Sequence, residues 1–353
     1  EYSPDNVPFK PKKHFRISTA GVKEGDFTFI YGFPGSTQEY IHSEWVRFIS
    51  EVSDPDKVAL RTLRLDIFNK YTNQSQAVRI QYSAKKARVA NAWKKWQGEA
   101  KGIKKMNTVR SKQEFEQAFD KWAQGGEFDG VISKIASIYA ELEPYQFATD
   151  YYTETVRTIE VANFAMSTAR LFKQDGFDKA KAAELAETFY KDWYLPIDKE
   201  SFIAVMKEYE KNVPADFKPI YYKEKFASYG SIEAWAEDIF TNSIFIDQTK
   251  VGALTSDDKE TVMADPAVEF FNEFLKWYAA DIQPVTTRLN QDLQLAYRDY
   301  MRGQMVYCRT QRVPKAFYPD ANLTLRVAYG HIKGYSPADG TYYLPSSTIK
   351  GIM

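Results

Sequence analysis

The sequence predicts a mainly α-helical protein whose chain begins and ends in short β-strands. Between Thr37 and about Arg312, apolar residues recur at helical spacing in segments joined by short turns. Near both ends the period changes to two, in DFTFIYGF and again in LRVAY. Strands this short do not fold alone. We therefore predict one β domain, formed by residues 1–36 and 321–353, with a helical domain over 37–320 inserted between its strands.

The first β piece has two predicted strands. Residues 1–12 are polar and Pro-rich and predict an extended lead-in, and strands are predicted at His14–Ser18 and Phe27–Phe33. A turn follows at GFPG. The S-x-x-E spacing that starts at Ser36 is typical of a capping box and predicts that the first helix begins there.

The helical domain is predicted from amphipathic segments and their terminators. Asp54-Pro55 is expected to end the first helix, because Pro lacks the donor that a helix interior needs. The second β piece is predicted from alternation after Thr324 and from Tyr342–Leu344. The predicted helices are 39–52, 56–71, 75–102, 112–124, 129–142, 147–172, 178–194, 198–212, 231–242, 266–280 and 285–309.

Composition excludes several classes of protein. The 353 residues are 44% hydrophobic, which suffices for a sizeable core, and 47 Lys+Arg balance 47 Asp+Glu, so no overall field favours nucleic acid. The single cysteine, Cys308, excludes an internal disulfide and a Cys-based zinc site. No apolar run is long enough to span a membrane. The chain opens on EYSPDN without Met, so we expect it to be a processed piece of a longer protein.

The segment 75–102 predicts a helix with two different faces. One face is apolar and must be buried; it carries Val78, Tyr82, Val89, Trp93 and Trp96. The opposite face is small apart from Ile80 and carries one uncharged polar group; it consists of Ile80, Ala84, Ala87, Asn91 and Gly98. A small face lets another helix or a substrate approach closely, and the residues alone favour a structural hydrogen bond from Asn91 to a neighbouring helix.

Chemical motifs in the chain are few. Three histidines are present, but no G-x-S-x-G stretch accompanies them. Glu39 and His42 have the E-x-x-H spacing of a di-iron site, which needs a second pair that the sequence lacks. No P-loop and no G-x-G-x-x-G occurs. We therefore expect no metal and no cofactor. The lysines and arginine of Lys85–Lys105 alternate with tryptophans and leave nucleic-acid binding open as a minor alternative.

Four stretches together resemble a known family. They are SPDNVPFKPKKHFRISTAGVKEGDFTFIYGFPGSTQEY, RIQYSAKKARVANAWKKW, FYPDANLTLRVAYGHIKGY and YYLPSSTIKGIM. They resemble bacterial serine peptidases of the dipeptidyl-peptidase 7 and 11 type, in the same order over essentially the whole chain. The resemblance implies a chymotrypsin-like double β-barrel with an inserted α-helical cap, and an enzyme that releases dipeptides from free peptide N-termini.

The resemblance also implies which residues act. The family's catalytic His and Asp precede a segment like this one, and its catalytic Ser follows, so His14, His42 and His331 match none of them and the segment alone is predicted inactive. In an N-x-W-K stretch, the family's Asn helps to hold the substrate's α-amino group. Here that stretch assigns substrate binding to Asn91, with Trp93 and Lys94 in support. An uncharged carbonyl can accept from an ammonium group without forming a competing salt bridge.

The resemblance fixes further expectations for the parent protein. Its partners are a peptide with a free N-terminus and the rest of the catalytic domain, with a homodimer left open, no nucleic acid and no membrane span. Its location is the periplasm, the cell surface or the medium. A self-standing helical binding protein remains the alternative. The preference for an acidic or a hydrophobic P1 residue is not expected to lie within this segment.

Overall fold

The computed structural model describes residues 5–173 and 176–351 and divides them into two compact units. One unit combines the residues up to 39 with those from 316 onwards, and the other comprises Tyr40–Lys315. The ends of the two predicted β pieces, residues 1–4 and 352–353, lie outside the described residues.

Unit 40–315 is helical. Its α-helices are α1 (Ser43–Phe48), α2 (Asp54–Thr72), α3 (Gln76–Lys105), α4 (Thr108–Ala123), α5 (Val131–Glu154), α6 (Glu160–Ala169), α7 (Lys179–Lys191), α8 (Leu195–Asn212), α9 (Ile220–Tyr229), α10 (Ile232–Asn242), α11 (Gln248–Ala253), α12 (Lys259–Met263), α13 (Pro266–Trp277) and α14 (Gln283–Thr310). The prediction of a mainly helical chain is confirmed. The predicted list omitted α9, α11 and α12.

The first helix begins later than predicted. Its N-cap is His42, so the capping box predicted at Ser36 is wrong. Asp320 instead accepts hydrogen bonds from Thr37 Oγ1 at 2.6 Å and from the Glu39 backbone N–H at 2.9 Å. A carboxylate distant in sequence thus takes the Glu39 N–H that a local cap would have used, and local spacing cannot reveal such a partner.

The break predicted at Asp54-Pro55 is also wrong. The helical path runs from α1 into α2 through a π-helical turn at Ile49–Ser53, and Pro55 lies in the first turn of α2. The wider turn accommodates the missing proline N–H, which removes the reason to end the helix. Helix α5 continues through Pro144 and so joins the helix predicted over 129–142 to the start of the one predicted over 147–172. The helix predicted over 147–172 is in fact broken near Thr155 by a 3-10 turn at Val156–Thr158.

The main core of this unit is unusually rich in aromatic side chains. The fully buried Trp235 packs with its ring edge on Phe270, at 5.4 Å between centroids, and Phe270 contacts Phe274 at 5.2 Å. A second cluster joins α4, α5 and α14. There the helices approach so closely that a Cβ at Gly303 would lie 2.7 Å from Phe119, so only glycine fits.

The other unit contains short antiparallel strands. Strand β1 (Phe27–Gly32) pairs with β4 (Arg326–His331) in a register that places Phe27 opposite His331. Strands β5 (Tyr335–Ala338) and β6 (Thr341–Tyr343) form a hairpin. In unit 40–315, β2 (Phe172–Lys173) and β3 (Gly176–Phe177) form a third pair. The strand predicted at 14–18 is absent, since this stretch has no strand partner among the described residues.

Candidate functional site

Helix α3 is anchored through its apolar face, as predicted. The hydroxyl of Ser75 accepts from the Val78 backbone N–H at 3.3 Å and caps the helix. Val78, Tyr82 and Val89 are buried, and the ring of Tyr82 packs edge-on against Phe68 of α2 at 5.2 Å between centroids. The prediction of a buried apolar face is confirmed for these three residues.

The two tryptophans of α3 are only half-buried, and both contact α2. Trp93 Nε1 donates to Thr62 Oγ1 at 2.8 Å. The ring of Trp96 lies under two cations, with the Arg61 guanidinium and the Lys57 ammonium each 4.4 Å from its centre. Trp93 therefore supports the helix from its buried side, as expected from its position in the pattern.

The opposite face of α3 is open. Each residue predicted on it is exposed within this unit; they are Ile80, Ala84, Ala87, Asn91 and Gly98. Asn91 makes no side-chain hydrogen bond to the residues that the structure describes, and nothing would contact a Cβ placed on Gly98. The structural alternative for Asn91, a hydrogen bond to a neighbouring helix, is therefore not realised within 5–173 and 176–351.

The basic side chains of α3 divide into paired and exposed groups. Lys85 is half-buried, where it forms an ion pair with Glu160 and donates to the carbonyl oxygen of Asp192. Lys95 pairs with Glu99 on the same helix. Lys94 is exposed next to Asn91 and makes no ion pair with the described residues. The charged groups nearest to the Asn91 amide along the helix are thus cationic, with Arg88 three residues before it and Lys94 three residues after it.

A second polar cluster contains the residue types of hydrolytic catalysis in a different geometry. At the start of α1, Ser43 donates from its hydroxyl to Glu116 at 2.5 Å and from its backbone N–H to the same carboxylate at 2.7 Å. His42 Nδ1 accepts from the Glu44 N–H at 3.1 Å, so its proton lies on Nε2, 3.5 Å from Glu116. The serine is not hydrogen-bonded to the imidazole, and all three side chains are buried.

Burial controls the ionisation of this cluster. It lowers the pKa of His42 to about 4 from an ordinary 6.5, because the imidazolium would lose its hydration. It raises the pKa of Glu116, although the two donors from Ser43 oppose that rise. His42 cannot activate Ser43 for attack on a substrate, because the two side chains share no hydrogen bond and are buried where a substrate cannot reach them.

The remaining sequence candidates lie apart from these clusters. His14 and His331 are exposed in the strand-containing unit, where the ring of His331 packs on Phe27 at 5.9 Å. Within 5–173 and 176–351, His, Cys, Asp and Glu nowhere form a group of three that could bind a metal ion. Among the same residues, no helix has the length and apolarity of a membrane span.

The sequence did not single out the residues that hold α3 in place. Arg61, Thr62 and Glu154 come from two other helices and carry no motif. Arg61 forms a bidentate pair with Glu154 at 2.7 and 2.9 Å. In the sequence these three residues differ from their surroundings only in placing a charge or a hydroxyl on the apolar side of α2 or α5. That signal does not show which residue each of them contacts.

The chain matches one family model over its full length, residues 1–353, and that model describes peptidase S46. An Asp/Glu-specific dipeptidyl-peptidase from Capnocytophaga gingivalis is 34% identical over the whole chain, which covers 51% of that relative. Dipeptidyl-peptidase 7 from Porphyromonas endodontalis is 28% identical, with 44% of that relative covered. The chain thus spans about half the length of the curated relatives it matches.

Solved structures agree with these relatives. The crystal structure of Porphyromonas endodontalis DPP11 in complex with the dipeptide Arg-Glu matches the whole chain with a TM-score of 0.81 and 27% identity, over 52% of its own chain. The same protein in complex with Arg-Asp matches with a TM-score of 0.82 and 28% identity.

Proposed function

The chain belongs to the peptidase S46 family, and from that membership we propose that it is part of an enzyme that removes dipeptides from the free N-termini of peptides. Within this enzyme, residues 37–320 form a helical cap that recognises the N-terminus, and residues 1–36 and 321–353 belong to a chymotrypsin-like double β-barrel. The serine nucleophile, the catalytic His and the catalytic Asp lie outside the chain, so the chain alone has no peptidase activity.

The observation that carries this proposal is the exposed amide of Asn91 on a firmly held helix. A dipeptidyl peptidase must measure two residues from a charged amine. The Asn91 carbonyl oxygen can accept a hydrogen bond from that amine, and the small neighbours Ala87 and Gly98 leave room for the peptide. Lys94, one turn along the helix, favours peptides whose groups beyond the N-terminal amine are neutral or acidic.

The strand-containing unit supports the second part of the proposal. Its aromatic and aliphatic side chains are exposed on both sides of the β1–β4 pair, including Phe29 at 51% and Ile30 at 67%. Apolar residues on both faces of a ribbon are typical of strands that are covered by further strands or a second layer. We assign that cover to the part of the parent protein that lies beyond this chain, which also fits the half-length match to the relatives.

Cleavage assays on the full-length parent protein test the proposed activity. We expect release of dipeptides from peptides with a free amine and none from the same peptides after N-terminal acetylation, because acetylation removes the charge that Asn91 recognises. The 353-residue chain alone should release no dipeptide. Equal cleavage of free and acetylated peptides would contradict recognition of the amine, and turnover by the isolated chain would contradict the placement of the catalytic residues.

The alternative function, binding of nucleic acid by α3, can be tested directly. The exposed lysines of α3 include Lys94, Lys101 and Lys104, and a basic face could bind single-stranded nucleic acid. A titration of the parent protein with single-stranded DNA at physiological salt distinguishes the two functions. We expect no salt-sensitive shift. For location we propose the periplasm, the cell surface or the medium, to be tested by fractionation of cells that express the parent.

A further inference from the structure

Two polar contacts hold the buried side of α3 opposite Asn91. Arg61 Nη1 donates to the Val89 carbonyl oxygen at 3.2 Å, and Trp93 Nε1 donates to Thr62 Oγ1 at 2.8 Å. Val89 and Trp93 precede and follow Asn91 by two residues. Adjacent residues of α2 therefore hold the one turn of α3 that carries the candidate amide.

Arg61 is itself fixed from several directions. Its Nε and Nη2 atoms donate to the two oxygens of Glu154 at 2.9 and 2.7 Å, and its guanidinium stacks on Trp96 at 4.4 Å. Glu154 is the last residue of α5 and is only 3% exposed. A bidentate pair fixes orientation as well as distance, so Arg61 connects α5 rigidly to the backbone of α3.

We propose that Arg61, held by Glu154, is a positioning residue that sets the location of the Asn91 amide relative to the ammonium group of the substrate. This inference rests on the proposed role of Asn91. A neutral amide recognises an ammonium group through a short, directional bond, which weakens steeply when the acceptor moves. The apolar contacts of α3 are non-directional and permit small shifts along the helix axis. The polar contacts of Arg61 do not.

Lysine cannot replace Arg61 in this role. It keeps the positive charge, but its single ammonium cannot donate to both oxygens of Glu154 and to the Val89 carbonyl in one planar arrangement. Arg61→Lys therefore keeps the buried charge pair while it loosens the turn that carries Asn91. Arg61 does not lie on the open face, so its effect on the substrate must pass through α3.

A double-mutant cycle in the full-length parent protein tests this proposal with dipeptide substrates that have a free amine. We expect Arg61→Lys to raise KM about tenfold with a smaller change in kcat, equivalent to the loss of one charged hydrogen bond. In the Asn91→Ala background we expect no further rise, because the group to be positioned is gone. An equal rise in both backgrounds would overturn the proposal and make Arg61 purely structural.

Two further variants keep the proposal testable if Arg61→Lys does not fold. Thr62→Val preserves the shape of the side chain but removes the acceptor for Trp93, and we expect KM to rise roughly threefold in the wild-type background only. Lys95→Met is the matched control, because Lys95 is an exposed residue of the same helix that pairs with Glu99; its KM should be unchanged. If Arg61→Lys fails to fold, the Thr62 cycle decides, and equal effects in both backgrounds overturn the proposal.

The cycle also separates this inference from the proposed function. If Asn91→Ala alone leaves kcat/KM unchanged, the amine-binding role of Asn91 is wrong. If Asn91→Ala lowers kcat/KM while the effect of Arg61→Lys persists in that background, Asn91 binds the amine and only the positioning role is wrong.

Discussion

Two polar clusters of the helical unit have opposite relations to solvent. At the start of α1, the side chains of His42, Ser43 and Glu116 are buried together and bonded to one another or to nearby backbone. On α3, the amide of Asn91 is exposed among small residues and has no partner within the residues described. The first cluster has the residue types of a hydrolase, and the second has one uncharged amide.

The difference shows that availability, more than residue type, identifies a binding group. The carboxylate of Glu116 is already used to satisfy the buried N–H and hydroxyl of Ser43, so nothing remains for a ligand. The donors and acceptors of Asn91 are unused and accessible. If this interpretation is correct, substitutions in the first cluster should change stability, and substitutions in the second should change kinetics.

The largest effect is expected from Glu116→Ala in the parent protein. The substitution leaves two buried donors of Ser43 without an acceptor, and the free energy of unfolding should fall by about 2–4 kcal/mol. Denaturant unfolding measures this loss. Glu114→Ala is the matched control on the same helix, because Glu114 is exposed and pairs with the equally exposed Arg110; it should cost about 0.5 kcal/mol or less. Similar losses in both variants would show that the α1 cluster carries no special stability.

Asn91→Ala should give the largest change in kinetics. Loss of one hydrogen bond to the substrate ammonium group lowers kcat/KM by about ten- to a hundredfold, or roughly 1–3 kcal/mol. The free energy of unfolding should change by less than about 0.5 kcal/mol, since the side chain is exposed and alanine favours the helix. Gln97→Ala, at another exposed position of α3, should leave both unchanged. A kcat/KM like that of the wild type would return Asn91 to a surface role.

The third expected effect is a pH dependence of stability that arises from His42. Its pKa in the folded protein is about 4, below the ordinary 6.5, so between these values the unfolded chain binds more protons than the folded one. The stability contributed by the neutral imidazole is therefore complete above about pH 6.5 and is lost as the pH falls toward 4.

His42→Asn isolates this contribution, because asparagine also caps helices but does not titrate. Between pH 7 and pH 5, the wild type should lose about 1–2 kcal/mol of unfolding free energy relative to the variant. Glu116 has a raised pKa and acts in the opposite direction in both proteins, so the comparison removes most of its effect. A difference that does not vary with pH would contradict a buried neutral His42.

The smallest effect is expected from Lys94→Ala. The side chain is exposed, so screening limits its influence on a bound peptide, and KM should change only about twofold. The change should shrink further as salt is added. A change as large as that of Asn91→Ala would mean that Lys94 contacts the substrate directly.

The sequence predicted the start and the buried side of α3, because both depend on residues close together in the chain. Ser75 is its N-cap, and the helical spacing of Val78, Tyr82 and Val89 identified the buried side. The same spacing placed Asn91 on the opposite side but did not predict its exposure, because the residues alone favoured a hydrogen bond to a neighbouring helix. The role of Asn91 in binding an amine came from the resemblance to known peptidases and stays a prediction.

Local patterns failed where a distant residue supplied the decisive contact. The carboxylate of Asp320 takes the donors of Thr37 and Glu39, so the capping box at Ser36 does not form. A π-helical turn lets the chain pass Pro55 in one continuous helical path. In both places the predicted feature is chemically reasonable by itself, and tertiary contacts or a change of helix type override it.

By itself, the sequence determined that the chain is mainly helical with strands near both ends, and it determined which side of α3 is buried, because hydrophobic periodicity is a property of neighbouring residues. Only the tertiary structure decided that the Glu116 carboxylate accepts hydrogen bonds from Ser43 and lies beside His42 at the start of α1. It also decided that Arg61 and Thr62 fasten the turn opposite Asn91. These contacts join residues up to 93 positions apart, as in the pair of Arg61 with Glu154, and no local pattern records which distant partner the folded chain brings near.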